Sequence, residues 1–201
     1  MKIDSELLLT VDKLYRPNIK NSAVDHPKLL ILFSGPPSSG KSTIAKAIEK
    51  RFQTIRLEND SIRVLAANLY PESDLDWKSE LSYTYMDYLR PRLARDSPNG
   101  LWIIDANIDV HHQKIFDFAK QYEFDVIVLA MMISEELRRE WIITTGDRPW
   151  ATADKYLGSM ALRKKQHDEF LATHTADLYI KPDYRMEDIF ELIDIRLRSL
   201  L

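Results

Sequence analysis

From Lys28 onward, short apolar runs alternate with longer stretches in which apolar residues recur at helical spacing. Several runs are continuous, such as LWII from Leu101 and VIVLAMM from Val126. Continuous runs are typical of strands covered on both faces, whereas a strand with one wet face alternates apolar and polar residues. Strand-like and helix-like segments in alternation predict a parallel sheet with crossover helices.

The predicted strands are Leu29–Ser34, Thr54–Glu58, Leu101–Asp105, Asp125–Met131 and Asp177–Ile180. The predicted helices are Ser42–Phe52, Ser61–Leu69, Leu75–Arg90, Val110–Tyr122, Glu135–Ile143, Ala153–Ala172 and Arg185–Leu201. Pro91 is expected to end or kink the third helix, because proline lacks an N–H and crowds the preceding turn. The fold class that follows is α/β, with a five-stranded parallel sheet sandwiched by helices.

The first 27 residues carry a helical pattern of their own. Asp4 or Ser5 would cap this helix. Its apolar face would consist of Leu7, Leu8, Val11 and Leu14. We predict that residues 1–27 form a helical appendage, ending in a loop from Pro17 to Pro27, which packs on a single domain of residues 28–201.

Composition narrows the classes of function. The 201 residues fit one domain, and a 45% hydrophobic content is enough for a continuous core. A net charge of −3 disfavours a protein whose whole surface binds nucleic acid, although the basic run Arg163–Lys165 leaves room for a local contact. Cysteine is absent, which excludes disulfides and thiol catalysis. No spanning helix and no secretory signal is expected, so we predict a cytoplasmic protein without a membrane partner.

A phosphate-binding loop is the strongest motif. Residues 35–42, GPPSSGKS, match G-x-x-x-x-G-K-[ST] in full, after a predicted strand and before an amphipathic helix. Glycines let backbone N–H groups approach phosphate oxygens, and the helix adds its positive end. Lys41 would bridge the β- and γ-phosphates of ATP, and the Ser42 hydroxyl would help to hold Mg²⁺. The predicted nucleotide contacts are Gly35, Ser38, Ser39, Gly40, Lys41, Ser42 and Thr43.

A second magnesium ligand is expected at the end of the run LWIID. Asp105 closes this strand, and it would reach the metal if its strand neighbours the one before the loop; otherwise it caps a turn. Asn107 follows on the same rim and is predicted to touch phosphate or substrate. Asp109 is predicted to cap the next helix. His111, His112, His167 and His174 lack zinc-site spacing and are predicted to be surface or helix-cap residues.

The acceptor site is predicted at RLENDSIR, just past the second strand. Asp60 and Arg63 lie three residues apart, so on one helical turn their side chains point the same way. Asp60 would take the proton of an incoming hydroxyl, and Arg63 would grip an anionic part of the acceptor. In the alternative interpretation Asn59 or Asp60 only caps the helix, and Arg63 forms a surface ion pair.

A lid is predicted in the segment SEELRREWIITTGDRPWATADKYL, which follows the fourth strand. Mobile arginines can neutralise the charge that phosphoryl transfer spreads over the phosphate oxygens. We predict that Arg148 is the mobile one and that Arg138 or Arg139 contacts the nucleotide. In the alternative interpretation, two of the three arginines pair only with Glu135, Glu136, Glu140 or Asp147 of the same segment.

The chain lacks the N-K-x-D run and the D-x-x-G switch of GTP-binding proteins. It resembles the small P-loop kinases that include polynucleotide 5′-hydroxyl kinases, chloramphenicol phosphotransferase and the zeta toxins. The resemblance rests on GPPSSGKST, ENDSIR, LWIIDAN and ELRREWIITTGDRP, and covers roughly residues 28–181. It implies a P-loop NTPase fold with ATP and Mg²⁺ as the donor pair, Asp60 as general base and Arg63 as acceptor contact.

The leading prediction is an ATP-dependent phosphotransferase that acts on a hydroxyl of a small molecule. A nucleic-acid 5′-hydroxyl kinase is the alternative within enzymes. An ATP-binding regulatory protein without an acceptor is the alternative outside them. The sequence does not identify the acceptor or the oligomeric state.

Overall fold

A computed structural model describes residues 5–21, 26–97, 99–148 and 151–201. In these residues the strands are β1 (Leu29–Ser34), β2 (Ile55–Glu58), β3 (Leu101–Asn107), β4 (Asp125–Met131) and β5 (Leu178–Ile180). The helices are α1 (Ser5–Asn21), α2 (Lys41–Phe52), α3 (Asn59–Leu69), α4 (Leu75–Asp96), α5 (His112–Gln121), α6 (Glu135–Thr145), α7 (Ala153–Gly158), α8 (Met160–Thr173) and α9 (Met186–Ser199). None of the described helices is long and apolar enough to cross a membrane.

The five strands form one parallel sheet in the order β2-β3-β1-β4-β5. β1 lies at the centre, between β3 and β4. All carboxyl ends therefore meet at one edge of the sheet, where ligands bind in open α/β folds. The predicted parallel sheet is confirmed, and β3 neighbours the loop-bearing strand β1, which was the condition for Asp105 to lie next to the loop.

Alternate residues of the three central strands, β3, β1 and β4, enter two separate hydrophobic clusters. Leu30 and Leu32 of β1 face a cluster that is completed by α1, α3, α4, α5 and α8. Leu29, Ile31 and Phe33 face a second cluster with α2 and α9. Because each face is covered, both sets of side chains are apolar, which explains the continuous apolar runs in the sequence.

Most of the predicted helix bounds after residue 28 are off by one or two residues, and two predictions fail by more. α4 continues through Pro91 to Asp96, so the prediction that proline ends this helix is wrong. Buried Leu89 and Leu93 flank the proline, and their packing offsets the lost backbone hydrogen bond. The single helix predicted over 153–172 is interrupted at Ser159, which lies between α7 and α8.

The N-terminal helix shares the first cluster with the sheet. Leu7, Val11 and Tyr15 of α1 are buried there. Leu14, which was predicted on the apolar face, is 43% exposed, and the helix runs on through the predicted loop to Asn21. The Tyr15 hydroxyl donates to the Glu58 carbonyl oxygen at 2.7 Å, so α1 contacts the backbone where β2 passes into α3. Asp4, the alternative cap, lies outside the described residues.

Candidate active site

The loop between β1 and α2 folds back on itself at residues with positive φ. Gly35 has φ of 141°, Ser38 of 57° and Gly40 of 90°. A Cβ at Gly35 would lie 2.7 Å from the Cβ of Met131 on β4, so both the dihedral and the space require glycine. This turn brings backbone N–H groups around the N-terminus of α2, where anions bind.

Lys41 is buried at the start of α2, beneath the loop. Its ammonium donates to the carbonyl oxygens of Gly35 at 2.8 Å and Pro36 at 2.6 Å, and to the Ser39 hydroxyl at 3.3 Å. Burial lowers the pKa of Lys41 to about 8, which the carboxylate of Asp105 opposes most strongly. Oxygen atoms of the loop therefore hold the Lys41 ammonium in position.

Ser42 and Asp105, the two residues predicted to bind magnesium, are in contact. The Ser42 hydroxyl donates to Asp105 Oδ1 at 2.9 Å, and Arg56 Nη1 donates to Asp105 Oδ2 at 2.8 Å. Burial raises the pKa of Asp105, and the bonds from Ser42 and Arg56 oppose this. Arg56 also pairs with Glu49 and Glu58, which fixes the guanidinium against the Asp105 carboxylate.

A bulge in β3 determines where Asp105 and Asn107 lie relative to β1. Leu32 of β1 pairs with Ile104, but the next residue, Phe33, pairs with Asn107. Asp105 and Ala106 are therefore extra residues, a disruption typical of strands beside active sites. The Asn107 side chain accepts from the backbone N–H of Asp109 at 2.8 Å.

Asp60 lies in the first turn of α3 and is held by two arginines. Arg63 Nη1 is 2.7 Å from Asp60 Oδ1, and Arg148 Nη1 is 3.6 Å from Asp60 Oδ2. The guanidinium of Arg63 lies over the Tyr83 ring, and that of Arg148 lies over the Tyr156 ring. The predicted ion pair is present, but Asp60 is not the cap of this helix, because Glu58 occupies that position.

One cavity of about 1080 Å³ joins these groups. The loop residues and Asp105 line it on one side, and Asp60, Arg63 and Arg148 line it on another. Sequence reasoning did not single out two further lining residues, Lys155 and Tyr156. Both belong to α7, and no local motif marks them.

The two adjacent arginines of α6 lie in different places. Arg138 is 2% exposed, and its Nε donates to the Pro37 carbonyl oxygen of the loop at 3.2 Å. Burial lowers the pKa of Arg138. Arg139 is exposed and lines a shallow depression with acidic residues of α6, away from the cavity. Of the two alternatives, only Arg138 lies beside the phosphate loop.

Two predictions about polar residues are wrong. Asp109 does not cap α5; the helix begins at His112, and the buried carboxylate of Asp109 accepts from Ser34 and from the Gly35 N–H instead. His167 is buried, not on the surface, and its Nδ1 lies 3.0 Å from Ser34 Oγ. Both residues reach the end of β1 across long sequence separations, so no spacing rule finds them.

The donor set at Ser42 and Asp105 suits magnesium. Mg²⁺ takes oxygen ligands and is held by one or two protein groups together with substrate phosphates. The hydroxyl and the carboxylate are both oxygen donors, and they lie at the N-terminus of α2 where the phosphates would be. Within the described residues, no group of three or more His, Cys, Asp or Glu side chains could hold a metal ion by itself.

A family model and several solved structures match this chain. A family model described as an AAA domain (AAA_33) matches residues 30–171, and no curated protein matches the sequence closely. A solved structure described as a kinase from Chloroflexus aurantiacus is 15% identical, with a TM-score of 0.62 over 88% of this chain and 99% of its own.

Two further solved structures are similar. A chain of the PezAT toxin–antitoxin system of Streptococcus pneumoniae is 15% identical, with a TM-score of 0.59 over 100% of this chain and 98% of its own. The APS kinase CysC of Mycobacterium tuberculosis, in complex with AMPPNP and APS, is 13% identical, with a TM-score of 0.52 over 84% of this chain and 99% of its own.

At these identities the likeness concerns the fold, which is the α/β P-loop NTPase fold. The narrower resemblance to polynucleotide kinases, chloramphenicol phosphotransferase and zeta toxins stays a prediction. The family match runs from β1, through the phosphate loop and the Asp60 and Asp105 segments, into α8, which is more than half of the chain. The protein therefore belongs to the AAA domain family.

Proposed function

We propose that the protein is a phosphotransferase that moves the γ-phosphate of ATP to a hydroxyl of a small-molecule acceptor. The observation that carries the proposal is the single cavity in which the phosphate loop and the Asp60 carboxylate face common space. Kinase relatives in fold, one of them solved with an ATP analogue and a small-molecule ligand, support it.

The phosphate loop would bind ATP, the phosphate donor. The backbone N–H groups of the loop and the Lys41 ammonium would bind the phosphates, and Arg138 would hold the loop from behind through the Pro37 carbonyl oxygen. Ser42 and Asp105 would hold Mg²⁺, which when bound neutralises charge on the β- and γ-phosphates. Arg56 keeps the Asp105 carboxylate directed at Ser42.

The acceptor side follows from Asp60. The hydroxyl of the acceptor would give its proton to the Asp60 carboxylate while its oxygen forms a bond to the γ-phosphorus. The bond between that phosphorus and the β–γ bridging oxygen breaks, and ADP leaves. Arg63 and Arg148 pair with the carboxylate and would orient it, and Arg148, in the lid segment, would neutralise charge on the transferred group.

Charges in the cavity favour an acceptor with an anionic group. Four basic side chains, Arg63, Arg148, Lys155 and Arg163, line it near Asp60 and Asp76. Asp60 pairs with two of them and Asp76 with Lys155. The partner of Arg163 in the described structure is the neutral amide of Gln166, at 3.1 Å.

The alternative of a nucleic-acid kinase depended on the basic run Arg163–Lys165. Two of its three cations form ion pairs within α8. Lys164 pairs with Asp168, and Lys165 pairs with Glu169, each one turn along α8. A phosphate backbone would have to displace these carboxylates. We therefore prefer a small-molecule acceptor to a nucleic acid.

The test uses γ-labelled ATP, Mg²⁺ and pools of hydroxyl acceptors: nucleosides, sugars, hydroxy acids, antibiotics and 5′-hydroxyl oligonucleotides. Asp60→Asn should lower label transfer by roughly 10²–10⁴-fold while ATP affinity is nearly unchanged, because only the proton acceptor is lost. Asp188→Asn is the matched control, since Asp188 also lies in a first helical turn with an arginine three residues away, but on α9 and outside the cavity. Equal slow ATP hydrolysis by all three proteins, with no labelled acceptor, would favour an ATP-binding regulatory protein.

A further inference from the structure

Three polar side chains meet below the phosphate loop without facing its cavity. Ser34 ends β1, Asp109 precedes α5 and His167 belongs to α8. All three are buried. The Ser34 hydroxyl donates to Asp109 Oδ1 at 2.6 Å, and His167 Nδ1 lies 3.0 Å from Ser34 Oγ and 3.4 Å from Asp109 Oδ2. The phosphoryl-transfer step described above uses none of them.

The contacts assign the proton of the histidine ring. Ser34 has one O–H, which is directed at Asp109, so its oxygen is left to accept. Asp109 Oδ2 also accepts, from the Gly35 N–H at 3.3 Å. His167 Nδ1 therefore faces two acceptors and must carry a hydrogen. Its Nε2 is buried without a hydrogen-bond partner among the described residues.

The cluster of Ser34, Asp109 and His167 connects Gly35, the first residue of the loop, to α8, which borders the cavity. Gly35 directly follows Ser34, and its N–H is held by Asp109. Arg163 lies four residues before His167 on α8, on the same helical face, and lines the cavity. A shift of α8 would thus reach the phosphate loop through the hydrogen bonds that link His167, Ser34, Asp109 and Gly35.

We propose that His167 is a positioning residue for the phosphate loop. Its Nδ1–H holds the Ser34 hydroxyl and the Asp109 carboxylate, and Asp109 in turn holds the Gly35 N–H at the point where the loop leaves β1. The proposal rests on the proposed function in that the loop is taken to bind ATP. A histidine that only fills space in the core would act through its volume, whereas this role depends on one ring nitrogen.

Two substitutions separate those roles. In His167→Asn the side-chain amide nitrogen can occupy the place of Nδ1, whereas in His167→Gln it can occupy the place of Nε2. Both lose ring volume and both lower the melting temperature, so a purely structural role moves them together. Two quantities are measured for each: the Kd of Mg²⁺·ATP, by displacement of a fluorescent ATP analogue, and amide hydrogen exchange at Gly35 without nucleotide.

We expect His167→Gln to weaken ATP binding roughly tenfold or more, since a buried hydrogen bond to a charged group is lost. We also expect faster exchange at Gly35. His167→Asn should recover most of both losses. Equal ATP affinity and equal exchange in the two variants would overturn the proposal.

A second variant covers failure of His167→Gln to fold. Ser34→Ala removes the hydroxyl that both other groups contact and leaves a smaller side chain. It should weaken ATP binding and speed exchange at Gly35 in the same direction, and wild-type behaviour in both measurements would overturn the proposal. If the wild-type protein does not bind ATP, the proposed function fails, and hydrogen exchange at Gly35 still decides whether His167 positions the loop.

Discussion

The phosphate loop and the acceptor side of the cavity are built in different ways. At the loop, backbone turns and buried groups fix the geometry: Ser39 and Lys41 are buried, and Gly35 has no space for a Cβ. Around Asp60, the geometry depends on ion pairs between partly exposed side chains of α3 and the lid segment. A backbone-built site is rigid and marked by one continuous motif, whereas a site built from side chains of separate elements adapts to its ligand and is marked in the sequence only by scattered residues such as Asp60, Arg63 and Arg148.

The largest expected effect tests whether the acceptor side acts in the transfer step. Arg148→Ala should lower phosphate transfer by roughly 10³-fold or more, because an arginine at the transferred group stabilises transition-state charge. ATP affinity should hold, since the loop is intact. Arg139→Ala is the matched control, because that arginine is exposed and lies outside the cavity. Steady-state transfer and ATP binding are the measurements, and equal loss of both would place Arg148 on the donor side instead.

The next prediction tests the rigidity of the loop. Gly35→Ala should lower the free energy of unfolding by roughly 2–4 kcal/mol through backbone strain and the clash with Met131. ATP affinity should fall about 100-fold as the loop shifts, which corresponds to about 2.7 kcal/mol. Gly158→Ala is the control, because nothing lies within 4 Å of a Cβ there. Denaturant unfolding and nucleotide titration check both parts, and a variant with normal ATP affinity would show that the loop adapts after all.

A smaller effect concerns pH and the donor side. Because the pKa of Lys41 is lowered to about 8, the ammonium is charged below that pH in the free protein and binding ATP needs no proton. Above it, binding must take up a proton, so the Kd for ATP should rise by up to about tenfold per pH unit. Lys41→Arg should bind more weakly but without this slope, since arginine stays charged. Calorimetry from pH 7 to 9.5 measures the slope, and a flat wild-type profile would contradict the prediction.

The smallest expected effect connects the N-terminal helix to the acceptor side. Tyr15→Phe removes the bond from the buried hydroxyl to the Glu58 carbonyl oxygen and should lower the free energy of unfolding by about 1 kcal/mol. Transfer should decline slightly at unchanged ATP affinity, because Glu58 lies two residues before Asp60. Tyr88→Phe, at an exposed tyrosine that meets Arg92, serves as control. Equal unfolding curves for the two variants would mean that the Tyr15 bond contributes nothing.

Local patterns predicted the sheet and the loop side of the site. The strands, the P-loop fold and the contact between Ser42 and Asp105 follow from apolar runs, one motif and the rule that strand ends share an edge. Asp109 and His167 could not be placed, because they meet Ser34 across 75 and 133 residues. The continuation of α4 through Pro91 depends on burial of its neighbours, which overrides the preference of proline.

The two extra residues in β3 have a consequence for how such a protein can change its substrate. A regular strand would present one residue opposite Phe33, but the bulge brings both Asp105 and Asn107 to the cavity at the end of a single strand. Asp105 is tied to Ser42 and Arg56, whereas the Asn107 side chain contacts only a neighbouring backbone N–H among the bonds described. Under the proposed function, a replacement at position 107 would change the cavity lining while the Asp105 carboxylate stays tied to Ser42 and Arg56, so acceptor choice and metal binding would depend on different residues of one short stretch.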